Sequence, residues 1–258
     1  MLQPRIIPCL LVKNGGLVKT VQFGAPKYVG DPLNAVRIFN EKEVDELTVL
    51  DIDATAEGRE PNYALIRDLA VECRMPLCYG GGVTTAEQVQ RIIALGVEKV
   101  ALSAAAVADP MLLPRACERV GRQSVVVVLD VRRVGPRYEV FTHNGRRASG
   151  LDPAAFAARI EQLGAGEIVV NAIDRDGVMK GYDLELMTQV RDAVTLPLTA
   201  HGGAGSLKVV GELIRRFGIV GAAAGSLFVF KGVYRAVLIN YPNRVDKNAL
   251  IAQAREAS

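Results

Sequence analysis

Tryptophan is absent from the 258 residues, and phenylalanine and tyrosine number only seven each. With so few flat rings there is little on which bases could stack, which argues against nucleic acid as a partner. Charge points the same way. The chain has 31 basic and 28 acidic residues, a net charge of +3, and no basic run dense enough to track a phosphate backbone. Histidine occurs twice. The four cysteines, Cys9, Cys73, Cys78 and Cys117, have no metal-ligand spacing, so no metal site is expected. They read as reduced, mostly buried thiols of a cytoplasmic protein. The apolar run from Ile6 to Val12 is interrupted by Pro8 and is too short for a signal or a membrane span. No cofactor is expected either.

What is present is apolar and repetitive. Half the residues are hydrophobic, enough to bury a large core. Residues 75–85 read Met-Pro-Leu-Cys-Tyr-Gly-Gly-Gly-Val-Thr-Thr, and residues 196–206 read Leu-Pro-Leu-Thr-Ala-His-Gly-Gly-Ala-Gly-Ser. Both are apolar runs entered by proline and closed by glycines, at a fixed offset of 121 residues. The same offset pairs Glu46 with Glu167 and Asp53 with Asp174. A repeat of this kind predicts two copies of one half-domain. Glycines at a strand end free backbone N–H groups, and a following helix N-terminus adds positive potential, so each copy predicts a phosphate cradle.

Strands are predicted near Arg5–Val12, Glu46–Asp51, Leu77–Tyr79, Lys99–Ser103, Ser124–Val131, Glu167–Ala172, Leu198–His201 and Ile219–Gly225. Near-continuous apolar strands belong to a parallel sheet covered on both faces. Eight strand–helix units without a linker predict an α/β fold, a single (β/α)8 TIM barrel over 1–258 with a two-fold internal half-barrel repeat. A doubly wound open sheet is the alternative and accounts less well for the repeat. Helices open at Asp31-Pro32, Thr84-Thr85 and Asp152-Pro153, where a capping side chain precedes the first turn. Two connections, Lys13–Gly30 and Arg132–Gly150, exceed what a barrel needs and read as lids over the strand C-termini. In the second, Tyr138–Thr142 with Asn144-Gly145 predicts a small hairpin.

Candidate chemistry gathers at strand ends. Asp130 closes the run Val-Val-Val-Val-Leu, and a carboxylate so poorly solvated is a candidate acid or base. Asp51 and Asp53 close the second strand, and Asp174 and Asp176 the sixth, with Arg175 and Lys180 as neighbouring cations able to pair with the last two. Lys19 reads either as an exposed loop lysine or as a phosphate ligand. His201 reads as a core histidine, a proton donor or a phosphate ligand. Arg5, Glu46, Lys99 and Glu167 stand at strand starts. If the register holds they meet at the bottom mouth, as a stabilising ion-pair ring or as a gate.

Arg5-Ile-Ile-Pro-Cys-Leu, Leu50-Asp-Ile, Gly80-Gly-Gly, Gly150-Leu-Asp, Ile173-Asp-Arg-Asp-Gly, Gly181-Tyr-Asp-Leu-Glu and Gly202-Gly-Ala-Gly-Ser resemble the cyclase subunit of imidazole glycerol phosphate synthase. The likeness runs from Arg5 to about Phe230. It implies a barrel that docks a glutaminase on its N-terminal face and passes ammonia to a phosphorylated small molecule above. It also implies two catalytic aspartates, at the ends of strands 1 and 5. Asp130 matches the second; Leu11 stands where the first belongs. By the same resemblance Lys19, Gly82, Ser103, Asn171, Asp176, Gly177, Gly203, Gly225 and Ser226 are phosphate- or substrate-binding positions. At the fourth strand end Ser103-Ala104 replaces the usual Asn-Thr or Asn-Ser, and His201 replaces a serine. Arg5, Glu46, Lys99 and Glu167 match the gate. Leu10-Leu-Val-Lys, Pro26-Lys-Tyr-Val-Gly-Asp and Ala224-Gly-Ser-Leu-Phe-Val-Phe are similar to a glycosyl-amidation-associated branch. That likeness implies ammonia delivery to a sugar amidotransferase of surface-polysaccharide (O-antigen) biosynthesis. A working cyclase of histidine biosynthesis, or a non-catalytic scaffold that activates a glutaminase, are the rival readings.

Overall fold

A computed structural model describes residues 3–232 and 234–256. Eight parallel strands close into a barrel: β1 (Arg5–Lys13), β2 (Leu47–Asp51), β3 (Leu77–Gly80), β4 (Lys99–Leu102), β5 (Val125–Val134), β6 (Glu167–Ala172), β7 (Leu198–His201) and β8 (Gly221–Ala224). Each strand pairs with its sequence neighbours, β8 returns to β1, and the β5–β6 pairing completes the circle. The outer layer is α1 (Pro32–Glu41), α2 (Tyr63–Glu72), α3 (Ala86–Ala94), α4 (Leu112–Val120), α5 (Pro153–Gln162), α6 (Leu184–Ala193), α7 (Leu207–Phe217) and α8 (Arg244–Glu256).

Alternation along each strand sorts the core into two parts. Val125, Val127 and Leu129 of β5 join the large cluster under the helices. Val126 and Val128, one residue out of step, face inward with Cys78, Ala101, Leu50 and Val169. The expected caps form. Asp31 accepts the Asn34 N–H at 2.8 Å and Asp152 the Ala155 N–H at 2.9 Å. Thr85 and Gln88 satisfy each other's backbone N–H groups at 3.2 Å, closing a capping box.

The two long connections are built rather than loose. Gly16–Lys19 folds back antiparallel on β1, and Lys27–Gly30 pairs with it in turn. Arg137–Thr142 folds back on β5, which runs on to Val134, past the expected end at Val131. The turn after Thr142 has His143, Asn144 and Gly145 all at positive φ. Asn144 donates to the Ile52 carbonyl at 2.7 Å, which ties this hairpin to the end of β2. Both glycine turns lie on the rim formed by the strand C-termini. There Gly81 and Gly202 have φ of 120° and 87°, and a Cβ at either would meet a carbonyl oxygen of the neighbouring strand segment, Asp51 at 2.3 Å or Ala172 at 2.6 Å. No helix among the described residues is long and apolar enough to cross a membrane.

Candidate functional site

At the strand starts, four charges close into a ring. Arg5 bonds Glu46 through Nη1 and Glu167 through Nη2, the latter at 2.7 Å. Lys99 Nζ lies 2.8 Å from Glu46 and 2.9 Å from Glu167. Each cation therefore touches both anions, and Thr199 adds a hydrogen bond to Glu167 at 2.6 Å. Glu46 and Glu167 are 4% and 5% exposed, and a carboxylate so buried needs such partners to offset its lost solvation. Burial opposes ionisation of Glu167, but Arg5 and Lys99 outweigh it and hold its carboxyl below the usual range. The cations answer in kind. Burial works to lower Lys99 and Arg5, yet the two glutamates raise both. Above the ring, toward the other rim, an apolar cluster of Cys78, Ala101, Val126, Val128, Leu50 and Val169 lines part of the interior.

At the strand C-termini a cavity of about 180 Å³ opens between the two hairpins. It brings together Asp130, Gly82, Ser103, Asn171, Asp176 and His201. Leu11 forms part of its wall, in a small apolar cluster with Cys9 and Val18. The cavity does not collect every expected residue. Lys19, Gly177, Gly203, Gly225 and Ser226 lie outside its lining, so the two expected cradles are not one pocket. Lys19 and Gly225 still meet, since a Cβ on Gly225 would lie 2.3 Å from Lys19 Nζ. Gly177 and Gly203 are pinned by backbone: a Cβ there would meet the Thr20 oxygen at 2.3 Å or the Gly181 oxygen at 2.1 Å.

Two expectations are corrected. Lys19 is not an exposed loop residue; it sits on the Gly16–Lys19 strand, 6% exposed, and donates to the Cys9 carbonyl at 2.6 Å. Burial lowers its pKa, and Cys9 and Asp176 only partly restore it. Arg175 and Lys180 do not supply the partners of the strand 6 acids. Asp174 instead accepts the Arg133 N–H at 2.9 Å with Arg132 at 3.9 Å, and Asp176 accepts the Thr20 hydroxyl at 2.8 Å. The β1 and β5 hairpins bring the acids these nearer partners. Asn171 lines the cavity and is also hydrogen-bonded within the protein at both ends of its amide. Its Nδ2 donates to Asp130 at 2.8 Å, and its Oδ1 faces His201 Nδ1 at 2.9 Å.

Asp130 also accepts the Ser103 hydroxyl at 3.3 Å. Burial pushes its carboxyl up to about 6, against the pull of those two hydrogen bonds. An acid poised there can exchange a proton near neutral pH. Sequence reasoning missed Lys13, His143, Asn144 and Arg146, which line the cavity from the hairpins and their turns. The only available signal was the length of the two connections. Asp53, a candidate at the end of the second strand, also lines the cavity; its buried Oδ2 has no partner among the described residues, while Oδ1 pairs with Lys13 at 3.0 Å. Among the described residues no cluster of histidine, cysteine and acids could hold a metal.

A closed parallel barrel with a polar cavity at its strand C-termini and an ion-pair ring at the other end defines a single (β/α)8 barrel protein. The family model described as histidine biosynthesis protein matches residues 5–235, and the chain belongs to that family. Within it, the chain is HisF-like. It is 56% identical to a Leptospira interrogans protein named provisionally as imidazole glycerol phosphate synthase subunit HisF, over 97% of this chain and 99% of the other. A Vibrio vulnificus protein with the similar provisional name hisF3 is 57% identical over 96% of each chain. The imidazole glycerol phosphate synthase subunit HisF of Hyphomonas neptunium is 44% identical over 89% of this chain and 91% of its own.

Proposed function

We propose that residues 1–258 act as one barrel domain, the ammonia-conducting subunit of a glutamine amidotransferase complex. A glutaminase docks on the N-terminal face, and ammonia crosses the ring of Arg5, Glu46, Lys99 and Glu167 to reach the cavity. The observation that carries this reading is the closed ring beneath an apolar cluster of the barrel interior. A network of four charges blocks water and ammonium. Neutral ammonia escapes the cost of carrying a charge through a dry interior, which is several kcal/mol even after relaxation. The upper site has Asp130 as its one catalytic carboxylate, and Leu11 takes the place of the second. The cyclase chemistry of the family is therefore lost, and ammonia serves a sugar amidotransferase in surface-polysaccharide biosynthesis.

A second reading, a working cyclase, is favoured by the full-length similarity to subunits named for imidazole glycerol phosphate synthase. One assay separates the two. With the phosphorylated ribonucleotide-derived substrate of the family and ammonium salt, the first reading expects negligible turnover. Losing one partner of an acid–base pair costs about 10²- to 10⁴-fold. Turnover at ordinary enzyme rates, about 1 per second or faster, would establish the cyclase and refute the loss.

A further inference from the structure

Large apolar side chains that reach solvent are few among the described residues, and half of them gather on two segments of the upper rim. Val21 and Tyr28 lie on the connection after β1, and Tyr234, Val237 and Leu238 follow β8. The two segments touch. Phe230–Lys231 and Ala236–Val237 pair as a short antiparallel hairpin, and Lys27 of the first connection sits over the Phe230 ring, 5.7 Å from its centre. On the other flank Arg235 donates to the Gly177 carbonyl at 3.2 Å. A Cβ on Gly177 would lie 3.2 Å from the Val21 side chain, so Val21 stands beside that contact. Tyr28 is 67% exposed and Tyr234 94%. A joined patch of this kind, with tyrosines at its surface, marks a site of protein association.

Its position ties it to the cavity. Thr20, Phe23, Gly24 and Pro26 line the cavity from the same connection that leaves Val21 and Tyr28 exposed. A body seated on the patch therefore borders the cavity mouth. Charge narrows what that body is. Residues 13–30 and 226–239 contain no acid, and Lys27, Lys231 and Arg235 are exposed among the apolar side chains. An apolar centre with a basic rim selects a protein face with an apolar centre and carboxylates around it. A second copy of this chain would bring like charges face to face, which is unfavourable. Three exposed cations also fall short of the cluster of about four to eight that reads as binding an anionic membrane.

We propose that this patch is the docking surface for the enzyme that consumes the ammonia, a protein whose apolar, acid-rimmed face covers the cavity mouth. The identity of the occupant rests on the function proposed above; the patch does not. Covering the mouth keeps ammonia out of bulk water, where at neutral pH it takes up a proton and loses its nucleophilic lone pair. Bond formation then belongs to the partner's site, and the barrel only hands ammonia over.

Tyr234→Glu and Lys231→Glu test this in the reconstituted complex of barrel, glutaminase and sugar amidotransferase. Each should weaken binding of the amidotransferase at least tenfold and lower glutamine-dependent amidation in step. Binding of the glutaminase and amidation fed with ammonium salt should not change. Met111→Glu, at an exposed residue just before α4, should change none of these. Melting curves check that the variants are folded. Independently of any variant, binding to the wild-type barrel should weaken as salt rises; binding indifferent to salt overturns the charged rim. No binding to the wild-type barrel, or binding unchanged in both variants, overturns the patch and leaves the conduit to its own test. Binding through the patch without glutamine-dependent amidation refutes ammonia delivery and keeps the patch. Self-association, or binding to phosphatidylglycerol vesicles, that either substitution abolishes would give the patch another occupant and overturn the proposal.

Discussion

Truncating Lys99 to alanine tests the ring in two separable ways. The substitution removes one of two cations from a nearly buried set of four charges and leaves a net negative charge on Glu46 and Glu167. Breaking a buried pair by deleting one partner costs about 3–5 kcal/mol, because the survivor is left uncompensated. Here Arg5 still bonds both carboxylates, which sets the expected loss at the lower edge, about 3 kcal/mol. For a chain of this size that is a fall in melting temperature of about 6–12 °C. The loss depends on pH. Glu167 is depressed in the folded state, so its contribution is present above the ordinary carboxylate range and fades as pH falls through its lower folded value. Lys99 is raised, so its contribution is full below the ordinary lysine value and fades as pH rises through the higher folded one. The melting difference should therefore be flat across neutral pH and shrink toward strong acid or strong base. The functional arm measures glutamine consumed against amidated product in the reconstituted complex. Lys99→Ala should consume glutamine without matching product, and added ammonium salt should bypass the defect. An unchanged ratio, in a variant still bound to its glutaminase, would refute the conduit and leave the ring as a purely stabilising device.

Asp130→Asn should stabilise the protein at pH 7 and make no difference at pH 4. Ionising a carboxyl held at about 6 costs at most about 3 kcal/mol relative to its ordinary value, and stability from the protonated form is lost as pH rises between the two; paired melts check it. Gly203→Ala should cost well over 1 kcal/mol, since its φ is 105° and the new Cβ lies 2.1 Å from the Gly181 oxygen. Gly218→Ala, at φ 66° in open space, should cost only the backbone strain of about 1–2 kcal/mol, and a denaturant titration of the pair separates the two effects. Leu11→Asp should lower stability, because a carboxylate enters the cluster of Cys9, Leu11 and Val18. By itself it should not produce cyclase turnover in the ammonium-fed assay.

The barrel itself was legible because its signals are local. Apolar runs of strand length, capping residues such as Asp31, Thr85 and Asp152, and glycines at Gly81 and Gly202 each act over a few residues, and each formed where expected. Strand alternation then fixed which side chain faces inward, so Arg5, Glu46, Lys99 and Glu167 could be expected at one mouth, where they form the ring. Partners across the barrel were not legible. Lys19 read as a loop lysine because nothing in its own neighbourhood shows that the chain folds back on β1 and buries it. Asp174 looked paired with its sequence neighbours, yet its partners come from β5. The row of Asp130, Asn171 and His201 depends on the register of three strands separated by about 30 to 40 residues in the chain. Sequence settled the residue types at those strand ends. Only the closure of the sheet decided which atoms face each other, Asn171 Nδ2 toward Asp130 and Asn171 Oδ1 toward His201, because those contacts are made across space.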